Sequence, residues 1–206
     1  MAEMTSYDPG IPSWVDVSSR DLPATVAFYT SLFGWDSFEP PGGTVLGGPF
    51  DVMGAGRMGV FMDDGGAVFS VWQPGDHKGA QVVNEPNSLS WNELASSDIE
   101  KSKTFYNKVF GWSSETNSMG DMTYTEFKVG DRSIAGMMAL GPMHPPGTPP
   151  HWLVYFAVAD TDATMARAAG LGGKALSPAV DIPIGRFAVM ADARGVVFAV
   201  IALAPS

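Results

Sequence analysis

Chemistry in this chain falls to carboxylates, imidazoles and aromatic rings, because it contains no cysteine. Disulfides, thiolate nucleophiles and zinc–thiolate sites are therefore excluded. Two short stretches set an acid two residues after a tryptophan: Trp14-Val15-Asp16 and Trp91-Asn92-Glu93. In an extended strand, residues i and i+2 share a face, so each carboxyl would stand beside an indole. A carboxyl walled off from water has its pKa raised and becomes a candidate general acid or base. Glu93 is the first such candidate and Asp16 the second. The structural alternative is that both bond backbone or arginine and fix the fold. Tyr124 and Glu126 repeat the alternation on another strand-like run.

The remaining motifs carry less. His77 follows a strand-like run in WQPGDHKG, His144 lies in the proline-rich stretch GPMHPPGTPP, and His151 heads the run HWLVYFAVAD. Residues 54–59, GAGRMG, fit the G-x-G-x-x-G pattern. That pattern cradles a dinucleotide only where a strand passes into a helix, and here it leads into the hairpin-like VFMDDGGAVFSV. Arg57 and Arg186 recur before equivalent strands and are expected to pair with Asp51 and Asp181. A net charge of −10, with no concentrated basic stretch, argues against nucleic acid and anionic membranes as partners. The longest apolar run, VVFAVIALA, suits a buried strand and is too short to span a bilayer. The opening MAEMTSYDPG has no signal pattern, so a cytoplasmic location is expected.

The elements that must position these residues are announced by a repeat. FYTSLFGW at 28–35 returns as FYNKVFGW at 105–112. Each copy follows a strand-like run, at 14–18 and 91–96, and a helix-capping aspartate, Asp21 or Asp98. Each ends on a glycine, Gly34 or Gly111, suited to the left-handed stop of a helix. The aromatic residues then form the seam between helix and sheet. The offset between these copies is 77, from Trp35 to Trp112 for example. A second matched pair, residues 42–71 and 172–200, has an offset of 130 at Gly42/Gly172 and 129 at Arg57/Arg186, Asp63/Asp192 and Phe69/Phe198. The jump between Trp35 and Gly42 means that one copy lacks about 52 residues relative to the other. The extra stretch reads as a hairpin turning at Gly130-Asp131, a Pro/Gly linker, a strand from His151 and a helix over 162–169. Three strand–helix–three-strand units result. The first, at 9–75, is a hybrid followed by a linker at 76–85; the others, at 86–140 and 150–206, together make a complete domain over 86–206.

Tandem βαβββ units whose capped helices end in FYxxxFGW resemble the vicinal oxygen chelate superfamily: glyoxalases, bleomycin-resistance proteins and extradiol dioxygenases. The chain is most similar to tandem glyoxalase-like proteins of actinobacteria. The resemblance implies an α+β fold in which mixed, curved sheets close around a cleft. It also implies that an unpartnered first unit pairs with that of a second chain, giving a homodimer.

In metal-dependent members of this superfamily, His, Glu or Gln occupies the first and last strands of each unit. The matching positions here are Trp14, Trp91 and Leu153 on first strands, and Ser70, Ala199 and approximately Gly136 on last strands. None suits a divalent ion. No cofactor is expected, a divalent metal being the alternative, and His151 is the nearest histidine to such a position. The same register turns Trp14/Asp16, Trp91/Glu93 and Leu153/Tyr155 toward the cleft, and Val15, Val17 and Leu94 toward the helices. Trp14, Trp91, Leu153, Tyr155, Tyr124 and His151 are thus the expected ligand contacts, for an apolar or aromatic small molecule with a polar handle. The alternative is a metal-independent isomerase, cyclase or accessory hydroxylase of secondary metabolism using Glu93 or Asp16. A metal-dependent lyase or dioxygenase fits least.

Overall fold

The computed structural model describes residues 4–16, 21–34, 49–119 and 122–205. The positions Val17, Ser18, Trp35 and Gly42, used in the repeat and register arguments, lie outside the described residues. Among the described residues three helices form: α1 (Leu22–Phe33), α2 (Ile99–Phe110) and α3 (Thr161–Gly170). Asp21, Asp98 and Asp160 cap them, each accepting a backbone N–H from three residues on at 3.1, 3.0 and 2.9 Å. Gly34 and Gly111 both stop their helices at φ +73°, a conformation that glycine adopts at little cost.

The second and third units make one nine-stranded sheet. The second unit supplies β4 (Ser88–Ser96), β5 (Ser113–Met119), β6 (Met122–Val129) and β7 (Arg132–Ala139). The third supplies β8 (His151–Ala157), β9 (Lys174–Ala175), β10 (Val180–Ile182), β11 (Gly185–Ala191) and β12 (Val197–Leu203). Their order is β10-β11-β12-β8-β4-β7-β6-β5, with β9 on β11. Within each unit the first and last strands pair in parallel, β4 with β7 and β8 with β12. The first strands of the two units pair antiparallel and join them, Glu93 opposite Leu153 and Trp91 opposite Tyr155. The β6–β7 hairpin turns at Gly130-Asp131, as the sequence predicts.

One face of this sheet is covered by helices. Leu94, Phe127, Ala135 and Met137 pack with Tyr106 and Trp112 at the α2 end. Phe156, Ala188, Met190, Phe198 and Val200 pack beneath α1 and α3. The opposite face gathers Leu153, Tyr155, Ala199 and Ile201, with Trp91, Phe187 and Val189 beside them.

The first unit behaves differently. Its strands β1 (Phe50–Val52), β2 (Gly56–Met62) and β3 (Val68–Pro74) form a separate three-stranded antiparallel sheet. This sheet rests on α2, where Phe69 meets Phe105, Tyr106 and Phe110. Helix α1 instead lies on the third unit. The parts described within 9–75 therefore have separate neighbours. The strand expected at 14–18 is not formed in its described part, 14–16. Nearby backbone is engaged elsewhere: Ser13 O accepts from Ala80 N at 2.7 Å, and the Tyr7 hydroxyl donates to Ala80 O at 2.5 Å. Val15 does pack toward the α1 cluster, although no strand forms there among the described residues, and Leu94 packs toward α2 as its register requires. The arginines also behave as expected. Arg57 lies 3.7 Å from Asp51, and Arg186 lies 2.8 Å from both Asp181 and Asp162. Among the described residues, no helix is long and apolar enough to cross a membrane.

Candidate functional site

The joint between β4 and β8 positions the site. Glu93 sits at the centre of the helix-free face, only 8% exposed, with Leu153 opposite it on β8 and Gly136 opposite it on β7. Strand alternation puts Trp91 on the same face one position back, and Leu153 and Tyr155 on that face of β8. On β6, Glu126 is paired with Gly136, which brings Tyr124 to the same face.

Hydrogen bonds then run in one direction. The Trp91 indole Nε1 donates to the Tyr124 hydroxyl at 3.0 Å. The Tyr155 hydroxyl donates to Glu93 Oε1 at 3.0 Å, and the Tyr124 hydroxyl stands near enough to the same carboxyl to influence its charge. Gly136 makes this possible. A Cβ there would fall 1.8 Å from the Tyr124 hydroxyl oxygen and 2.8 Å from Trp91 Nε1. Glu126 is held apart by a hydrogen bond from the Ser133 hydroxyl.

Burial dominates the electrostatics. It pushes the Glu93 carboxyl above the ordinary glutamate range, while the bonds from Tyr124 and Tyr155 and the field of His151 pull it partway back. Burial, and then the charge of Glu93, raises both tyrosines. A buried carboxyl with one phenol donor and a second phenol beside it can hold a proton, or accept one from a bound molecule.

Of the residues singled out in the sequence, the structure brings Trp91, Glu93, Tyr124, Leu153 and Tyr155 together. His151, at the start of β8, lies within electrostatic range of Glu93. Trp14 and Asp16 are not brought in. Trp14 is 53% exposed and packs edge-on against His77 at 4.5 Å, and Asp16 is exposed. Both depended on a strand that the described part of 14–18 does not form. Gly136 appeared in the sequence only as an approximate ligand position. Its role is the room it leaves, for which residue type alone gives no signal.

The positions at which the resemblance implies metal ligands carry Trp91, Leu153, Gly136 and Ala199 on this face. Among the described residues, no three His, Asp or Glu side chains converge. Glu93 is a single carboxylate whose Oε1 already accepts from Tyr155. This donor set does not fit a divalent ion, which wants several imidazole or carboxylate ligands.

The sequence matches the Glyoxalase/Bleomycin resistance protein/Dioxygenase superfamily over residues 88–200. It is 34% identical to CFP32 of Mycobacterium bovis, provisionally named a glyoxylase, across all of this chain and 99% of that protein. It is 31% identical to the anthracycline biosynthesis protein DnrV of Streptomyces peucetius, across 97% of this chain and 96% of that one. The first alignment runs over 262 positions against 206 residues here, an excess of 56. That is close to the deficit read from the internal repeat. Among solved structures, the Mn(II)-bound glyoxalase of Novosphingobium aromaticivorans is similar at 16% identity and TM-score 0.48, covering 72% of this chain and 50% of that one.

Proposed function

The chain belongs to the Glyoxalase/Bleomycin resistance protein/Dioxygenase superfamily, and on that premise we propose that it binds an apolar or aromatic small organic molecule without a metal. The ligand lies against Trp91, Tyr124, Leu153 and Tyr155 and presents a polar group to Glu93. The observation that carries this reading is one buried carboxyl that accepts from Tyr155 and is flanked by Tyr124, itself held by the Trp91 indole. Indole and phenol walls offer flat apolar area, and the carboxyl supplies the orienting contact. Relatives named as anthracycline biosynthesis proteins accord with a place in secondary metabolism.

A second reading, metal-independent acid–base catalysis of the isomerase, cyclase or accessory hydroxylase kind, is favoured by the raised pKa of Glu93. Glu93 would take a proton from a bound substrate and return it, with Tyr155 and Tyr124 stabilising its charged form. Asp16, exposed and outside the cluster, has no part in this version. The homodimer through the first unit is supported by exposed apolar residues on β2 and β3, Phe61 and Val71 among them.

Native mass spectrometry on protein purified without added metal or chelator tests these proposals. A metal-free dimer is expected, with or without an added organic mass. One divalent ion per chain would defeat the metal-free reading, and a monomer would defeat the dimer. Titration with an aromatic library, followed by tryptophan fluorescence, should respond in the wild type and weaken in Trp91→Phe.

Glu93→Gln separates the two readings. Ligand binding should survive in part if the residue only orients, and turnover should vanish if it moves a proton. The raised pKa has a stability signature as well. Between the ordinary glutamate value and the higher folded value, the folded state binds more protons, so stability falls as pH rises through that window. Glu93→Gln should flatten that slope in urea melts.

A further inference from the structure

Beside the Glu93 cluster, the chain between β7 and β8 forms a strap, residues 141–150, in which five of ten residues are proline. Proline fixes φ, so this strap arrives with little freedom left to lose. Backbone bonds from His144 N to Gly141 O at 2.9 Å and from Thr148 N to Pro145 O at 3.1 Å fold it into consecutive turns. It helps to wall a depression of about 230 Å³ lined by Thr123, Met138, Pro142, Met143 and His144. Met138 stands two residues beyond Gly136 on β7, on the face that carries Glu93. The rings of His144 and His151 meet edge-on at 6.1 Å. The depression and the two imidazoles thus gather beside the Glu93 cluster.

The hydrogen bonds of the two rings assign their protons. His144 Nδ1 receives the Gly141 N–H at 3.3 Å, so Nδ1 is bare and Nε2 carries the hydrogen. His151 Nδ1 lies 2.9 Å from Pro149 O, which can only accept, so Nδ1 carries the hydrogen and, whenever the ring is neutral, Nε2 is bare. The pair therefore presents one donor and one acceptor, fixed by the backbone of a stiff strap. We propose that His144 and His151 form a recognition site for a small aromatic molecule carrying a hydroxyl and a carbonyl. The hydroxyl donates to His151 Nε2 and the carbonyl accepts from His144 Nε2–H, while the apolar body lies on Met138 and Met143. This rests on the reading of the neighbouring face as a small-molecule site, and it names the ligand class.

The probes are meta-hydroxybenzophenone, in which hydroxyl and carbonyl are too far apart to bond each other, its methyl ether, and benzophenone. Wild-type protein should prefer the hydroxyl compound to the ether by about tenfold, the worth of one hydrogen bond. His151→Phe should abolish that preference, and His144→Phe should weaken all three ligands alike, with unchanged melting temperatures showing that the fold persists. Irradiation of the bound benzophenones should crosslink them to Met138 or Met143. Equal affinity for the three compounds, or crosslinks far from the strap, would overturn the histidine pair and leave the aromatic face standing. No binding by any of the three would overturn both.

Discussion

Helices α1 and α2 carry the same phrase, and each uses it to grip a sheet outside its own unit. In α2, Phe105, Tyr106 and Phe110 surround Phe69 of β3 at 6.0, 5.8 and 5.9 Å. In α1, Phe28, Tyr29 and Phe33 surround Phe198 of β12 at 6.2, 5.6 and 6.2 Å. The turns before these phenylalanines also match. Asp63 Oδ1 accepts from Gly65 and Ala67, and Asp192 Oδ1 accepts from Arg194 and Val196.

The two seams differ in how completely they are finished. Asp63 Oδ2 accepts the Tyr106 hydroxyl at 3.0 Å, and Trp152 donates to that same hydroxyl at 3.0 Å. Asp192 Oδ2 is buried with no hydrogen-bond partner among the described residues. On the sheet side the order reverses. Met190 and Val200 are fully covered, whereas their counterparts Phe61 and Val71 are 48% and 38% exposed. In the third unit α1 and α3 share that face. One set of aromatic residues can therefore serve two seams, while hydrogen bonding and apolar cover are supplied by whatever neighbours each seam has.

Removing the central ring should produce the largest contrast. Phe198→Ala, in the covered seam, should cost about 3–5 kcal/mol. Phe69→Ala, in the half-covered one, should cost about 1–2 kcal/mol. Urea melts of both variants decide this, and equal losses would mean that cover is not the difference. A smaller contrast should separate the aspartates. Asp63→Asn gives up the Tyr106 bond and should cost about 1–3 kcal/mol more than Asp192→Asn, whose second oxygen has no such bond to lose. The least effect belongs to the exposed pairs that flank each seam, Arg194 with Asp21 and Lys101 with Asp64. Arg194→Ala and Lys101→Ala should each cost under about 1 kcal/mol. The loss should shrink further in high salt.

Much of this was legible from residue types. The capping aspartates, the glycine stops and the Gly130-Asp131 turn are local, and their chemistry sits within a few residues. The matched offsets named the helix aromatics, the turn aspartates and the central phenylalanine of each seam. They could not say which helix grips which sheet, because equivalent copies are interchangeable in a sequence and become distinct only when packed. At the site, strand alternation placed Trp91, Glu93, Leu153 and Tyr155 on one face because β4 and β8 have partners that hold them extended. The same rule misplaced Trp14 and Asp16, which follow Ser13, whose carbonyl accepts from Ala80, and which no ladder holds. His144 was given no site role because a histidine in a proline-rich linker has no periodicity to read. Its use depends on turns that only the folded strap reveals.

The α1 seam joins distant parts of the chain, as the Arg194–Asp21 pair, 173 residues apart, makes plain. During synthesis α1 therefore leaves the ribosome long before β12, the strand it packs against, is made. Phe28, Tyr29, Leu32 and Phe33, all buried in the finished protein, must wait in water or in the hold of a chaperone until β12 emerges. Refolding from denaturant carries no such delay, because both ends are present from the start. The birth of the chain and its renaturation should then differ most in their exposure to aggregation at this one helix.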